Sequence, residues 1–112
     1  MKIKPGVKVL GLRPELLLAV IAAERIWAHY NAEVVITSGT EHDGGHRHKS
    51  AHWSGRAVDL RVKNLAHANR PRAAELLAEA LGLDYDVLHE GIDEPWEHVH
   101  VEYDPHGEEH AP

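Results

Sequence analysis

The stretch Arg56-Ala57-Val58-Asp59-Leu60-Arg61-Val62 constrains the fold of this chain more than any other. Val58, Leu60 and Val62 alternate with Ala57, Asp59 and Arg61, the period of a strand with one face on a core. Aspartate is depleted in strands, and an unpaired carboxylate inside apolar packing is costly. Asp59 must therefore face a cleft and find its partners there. Upstream, Ser50-Ala51-His52-Trp53-Ser54-Gly55 places an imidazole before a glycine turn that leads into the same strand. Near the C-terminus, Glu97-His98-Val99-His100 reads as a second strand carrying two more imidazoles and a carboxylate. If the two strands are neighbours, they present His52, Asp59 and a third ligand at one shared face, with a carboxylate to spare. Three ligands plus a base is the layout of a catalytic zinc centre, whose fourth position is left for water.

Composition narrows the alternatives. The chain has no cysteine, so disulfides, thiolate metal sites and cysteine nucleophiles are all excluded, and any metal must be held by histidine and carboxylate. It has 11 histidines, clustered at 42–52 and 98–110, beside the two motifs. His106 and His110, in an acidic tail, are expected to be solvated. With 12 Lys+Arg against 18 Asp+Glu, the formal charge is −6 and no helix face concentrates cations, which argues against nucleic acid as a partner. At 112 residues, a single domain spanning 1–112 with one modest core is expected, as a monomer. Met1-Lys2-Ile3-Lys4-Pro5-Gly6 lacks the apolar run of a secretory signal, and no segment approaches a membrane span. The expectation is a protein made in the cytoplasm with no membrane partner, reaching any cell-wall target only after release by other means.

Along the chain, residues 1–12 read as an extended lead-in broken by Gly11. Pro14 and Glu15 suit the first turn of a helix running to about Tyr30, with Leu17, Leu18, Ile21, Ala22, Ile26 and Trp27 on its buried face. Glu33 to Thr37 is a short β-branched strand entering Ser38-Gly39-Thr40. Residues 39–54 are too polar for core and too long for a hairpin, and loops of that kind are usually functional or disordered. A second helix starts at Asn69-Arg70-Pro71 and ends at Gly82, with Ala73, Leu76, Leu77, Ala80 and Leu81 as its stripe. Asp84 to Glu90 reads as a strand, Gly91 to Trp96 as a turn, and Glu97 to Tyr103 as the last strand. Residues 104–112 read as a frayed tail.

These residues resemble the zinc D-alanyl-D-alanine carboxypeptidase and dipeptidase family, whose relatives include phage L-alanyl-D-glutamate endopeptidases that cut peptidoglycan stem peptides. Ser50-Ala51-His52-Trp53-Ser54-Gly55-Arg56-Ala57-Val58-Asp59 fits the family signature SxHxxGxAxD at every fixed position. Glu97-His98-Val99-His100 fits its ExxH, and Val35-Ile36-Thr37-Ser38-Gly39 looks like the strand and turn before the first motif. The matches run in family order over roughly residues 34–103. The resemblance implies an α+β fold with a small antiparallel sheet, two main helices and a zinc site at the sheet cleft. It also implies His52, Asp59 and His100 as zinc ligands, Glu97 as general base, and a peptidoglycan stem peptide or other D-Ala-containing peptide as substrate. His98 shares a strand face with His100 and rivals it as a ligand. The family spacing from Glu97 selects His100, leaving His98 to hydrogen-bond the oxyanion or the bound water.

The chain departs from the family at one place. Members often carry an arginine just after the Ser-Gly turn, where this sequence has Glu41, and a carboxylate cannot stabilise an oxyanion. Arg47 or His46 of the same loop is expected to supply the missing donor, with Lys49, zinc itself and His98 as alternatives. Glu97 and His100 also fall on opposite sides of a regular strand, so a bulge or irregular entry after Pro95-Trp96 is needed to bring both to the metal. Trp53 and Trp96 are candidates for the cleft walls or for core packing. The hedgehog signalling domain has a similar zinc site and a similar HxH strand without established hydrolase activity. The alternative function is therefore a non-catalytic, zinc-stabilised binding module of the same fold.

Overall fold

Arg13 is extended and Pro14 occupies the first helical position, where its missing N–H costs nothing, so the chain enters helix α1 (Pro14–His29) without a side-chain cap. A computed structural model describes residues 1–41 and 51–105 of the protein. Over these residues the fold is α+β. Strand β1 (Lys2–Ile3) precedes α1. Strands β2 (Val35–Ser38) and β3 (Ala57–Arg61) follow it, and then come a short 3-10 turn (His67–Asn69), helix α2 (Arg70–Leu81), and strands β4 (Tyr85–Glu90) and β5 (His98–Tyr103). The sheet order is β1-β2-β3-β5-β4; β1 runs parallel to β2 and every other pair is antiparallel. No described helix is long and apolar enough to cross a membrane.

Pairing register sorts the sheet into two faces. Leu60 lies opposite Ile36 and Val99, and Val58 opposite Val101, so these side chains share the face that carries the core. Leu16, Val20, Trp27, Val62 and Leu77 complete that core, and both helices lie on this side. Asp59, Arg61, His98 and His100 stand on the other face, because successive strand residues point to opposite sides. An irregularity between Ile36 and Ser38 sets Ser38 opposite Asp59, so the polar end of β2 is turned to the same face.

The buried stripe of α1 differs from the expected one. Leu16, Ala19, Val20, Ala23 and Trp27 are buried, whereas Leu17, Leu18 and Ile21 are 52%, 61% and 53% exposed. The helix opens with an almost unbroken apolar run, so periodicity there admits more than one face, and the small Ala19 and Ala23 let the backbone approach the sheet. Trp27 ties helix to strand: its indole N–H donates to the Arg61 carbonyl at 3.2 Å. In α2 the buried residues are Ala73, Ala74 and Leu77, with Ala80 exposed. Gly82, at φ 81° and ψ −166°, ends it in an extended positive-φ conformation open essentially to glycine alone.

Gly55 of the first motif is fixed by contact. It sits at φ 76°, and a Cβ there would lie 2.0 Å from the Gly11 carbonyl oxygen. Its own carbonyl accepts from the Arg13 N–H at 2.9 Å, which joins the turn before β3 to the start of α1.

Candidate metal centre

His52 lies in the turn before β3, where the Gly55 N–H bonds to the His52 carbonyl and the Arg56 N–H to the Ala51 carbonyl. Its side chain is almost wholly buried, and Nδ1–H donates to the Gly39 carbonyl at 3.1 Å. A histidine held through Nδ1 by a carbonyl presents its Nε2 on the far side of the ring, the usual arrangement behind a ligating imidazole. That Nε2 lies 3.3 Å from Asp59 Oδ1. On β5, His100 stands directly opposite Asp59, with Nδ1 at 2.8 Å from the same Oδ1. The His52 and His100 rings are 5.1 Å apart at 67°. One potential ligand atom from each of His52, Asp59 and His100 lies within 4.8 Å of the other two, so these residues could hold a metal ion. Tetrahedral coordination with bonds of about 2.0–2.2 Å places ligand atoms roughly 3.3–3.6 Å apart. The His52–Asp59 edge already has that length, and the His100–Asp59 edge is contracted by its hydrogen bond.

The electrostatics are those of an ion pair in a sheltered place. Burial is the largest influence on Asp59 and opposes its charge, but hydrogen bonds from His100 and His52 outweigh it and hold the carboxyl far below its ordinary range. Burial likewise works against a charged His100, yet Asp59 and Glu102 face its two ring nitrogens and push it up to about 9.

His98 is on the same face, opposite Arg61 on β3 and Glu90 on β4. Its Nδ1 donates to the Trp96 carbonyl at 2.9 Å, and Nε2 meets Glu90 Oε1 at 3.1 Å while lying 3.7 Å from Asp59 Oδ1. It therefore stands beside the cluster and outside the three-residue ligand group. Trp96, 62% exposed, leans over it with ring centroids 6.1 Å apart. Lys4, Thr37, Ser38, Asp59, Arg61, Lys63, Pro95, Trp96, Glu97 and His98 border a cleft of about 430 Å³.

Glu97 has partners of its own, apart from the three-residue group. It borders the cleft, but its side chain is only 1% exposed: Oε1 accepts from Arg70 and Oε2 meets His89 Nε2, both at 2.7 Å. His89 lies opposite Val99, so this network belongs to the core face of the sheet. The strand pairs one-for-one from His98 to Tyr103, and without a bulge alternation separates Glu97 from His100. The side chain expected to serve as base at the metal is thus held by Arg70 and His89. Although burial opposes its ionisation, His89, Arg70 and the Asp93 N–H together hold its carboxyl below the usual range.

Glu41 also has a defined place. Its carboxylate accepts from the Gly39 and Lys8 N–H groups at 2.9 and 3.1 Å and from the Ser38 hydroxyl at 2.8 Å. Despite partial burial, these donors and its own backbone N–H keep it charged. Glu41 thus braces the turn whose Gly39 carbonyl orients His52. Arg47 and His46 fall among residues 42–50, outside those described. The partners Glu90, Arg70 and His89 were not singled out from the sequence; only the pairing register identifies Glu90, and no local motif marks the other two.

A scan against protein-family models found none that matches this chain, and a search of curated proteins found no match.

Proposed function

We propose that this chain is a zinc-dependent peptidase of the carboxypeptidase, dipeptidase or endopeptidase kind that acts on bacterial cell-wall stem peptides. The observation that carries the reading is the His52–Asp59–His100 group at the edge of a cleft. Two imidazoles and a carboxylate match a common catalytic ligand set and leave a fourth position for water or substrate. Zinc bound there supplies a water acidified toward neutrality and a Lewis acid for the scissile carbonyl.

The remaining work falls to the chain's own side chains. Gly39 fixes the His52 ring, and Glu41 fixes Gly39. The extended substrate lies along the cleft between Trp96 and the Arg61 end of β3. His98, held by the Trp96 carbonyl and Glu90, is the group placed to move a proton. The Trp96 carbonyl orients the ring through Nδ1, and Nε2, which Glu90 meets at 3.1 Å, takes a proton from the attacking water and gives it to the leaving amine. Glu97 acts from behind, joining the entry to β5 to α2 through Arg70.

The engagement of Glu97 favours a second reading, a metal-stabilised binding module that has no base at the metal. Digestion of purified peptidoglycan, with and without a chelator, decides between them when the released termini are read by mass spectrometry. New amino termini that disappear with chelator support the peptidase. Unaltered peptidoglycan, with zinc bound to the protein, supports the module.

A further inference from the structure

His100 meets a different carboxylate at each ring nitrogen. Nδ1 lies 2.8 Å from Asp59 Oδ1, the oxygen that His52 Nε2 also approaches, at 3.3 Å. Nε2 lies 3.1 Å from Glu102 Oε1. Both contacts follow from register on one face of the sheet. Asp59 stands directly opposite His100 on β3, and Glu102 comes two residues after His100 on β5, on the same side. Residues two apart on a strand are separated by about 7 Å, a gap that a glutamate and an imidazole turned toward each other can close. The contact is sheltered, with the His100 and Glu102 side chains 15% and 26% exposed. An imidazole that ligates through one nitrogen gives up the proton there and keeps the other. The nitrogens that converge on Asp59 Oδ1 are His52 Nε2 and His100 Nδ1, so the proton His100 keeps is the one on Nε2, facing Glu102. The two imidazoles are therefore backed unequally, His52 by the neutral Gly39 carbonyl and His100 by a carboxylate.

We propose that Glu102 is a positioning residue of the metal centre: by accepting from His100 Nε2–H it holds the ring with Nδ1 toward Asp59 and makes that nitrogen the stronger donor of the two imidazoles. A carboxylate behind a ligating histidine does both things, because it selects the tautomer and draws on the proton it accepts. The role depends on the hydrogen bond and not on negative charge in general. Asp104 brings a carboxylate oxygen within 4.8 Å of one on Glu102, so a change at Asp104 alters the nearby charge while leaving the partner of His100 in place. The inference rests on the metal centre of the peptidase reading and not on hydrolysis.

The test uses the full chain and zinc alone. Affinity is read by competition with a chromophoric chelator, and the state of each ring nitrogen by nitrogen–proton multiple-bond NMR spectra of the zinc-loaded protein. In the parent, His100 should show a zinc-bound Nδ1 and a protonated Nε2, and His52 the reverse. Glu102→Ala should weaken zinc binding by about 10–100-fold, the range for a lost partner behind a ligand. Glu102→Gln keeps an acceptor without the charge and should recover part of that loss, while Asp104→Asn should stay close to the parent. Zinc on Nε2 of His100, or an equal loss in Asp104→Asn, overturns the proposal. Parent affinity in Glu102→Ala overturns it alone and leaves the peptidase reading standing, whereas a parent that binds no zinc overturns both. Should Glu102→Ala fail to fold, the parent spectra and Glu102→Gln decide.

Discussion

His52 donates from Nδ1 to the Gly39 carbonyl at 3.1 Å, and this one hydrogen bond turns its Nε2 toward Asp59. The orientation of a candidate metal ligand thus depends on a turn in a different strand connection. Glu41 holds that turn through the Gly39 and Lys8 N–H groups and the Ser38 hydroxyl. Glu41→Ala leaves three donors without their acceptor. It should destabilise the chain by about 1–3 kcal/mol and weaken metal binding without touching a ligand. Glu41→Gln, which keeps the shape and some of the acceptors, should do less. Denaturant midpoints and metal titrations of the two variants check the order.

Glu97→Ala is expected to cost about 3–5 kcal/mol, because it strands Arg70 and His89 in a buried place. Zinc content should not change. The pH sign follows from a folded carboxyl held below its ordinary value of 4.5. Its stabilisation is present above that value and is lost as pH falls through the lower folded one. Acid unfolding of the parent should therefore be steeper below about pH 4.5 than that of Glu97→Gln, which has no such group to protonate. Identical acid limbs would show that the pair contributes nothing.

His98→Gln should keep the metal and lower kcat by about a hundredfold or more, the range for a lost general acid–base group. Loss of zinc in this variant would instead make His98 a ligand.

The packing of α1 is testable by stability alone. Leu16→Ala removes a fully buried side chain and should cost about 2–5 kcal/mol. Leu17→Ser and Leu18→Ser, on the exposed side, should fall within about 0.5 kcal/mol of the parent. The opposite ranking would restore the face suggested by periodicity.

Much of the site was legible because its signals are local. Alternation in Ala57–Arg61 put Asp59 off the core face, and the same period put His98 and His100 together on β5. The objection raised by alternation against Glu97 was legible too, and the structure answers it by seating that carboxylate with Arg70 and His89. What the sequence could not supply were partners joined only by tertiary contact. Arg70 lies on a helix start and His89 on an edge strand, with no motif linking either to Glu97. The role of Glu41 was hidden for the same reason, since its donors come partly from Lys8, far away in sequence. In α1, the run Leu16–Ile21 offers more apolar residues than one stripe can bury, and only packing selects among them.

Zinc content of the protein purified without chelator is the most direct measurement. The geometry of His52, Asp59 and His100 predicts about one zinc per chain, lost in His52→Ala and Asp59→Ala and retained in Glu97→Ala. A content near zero in the parent, or one unchanged in His52→Ala, would contradict the metal centre and with it the peptidase.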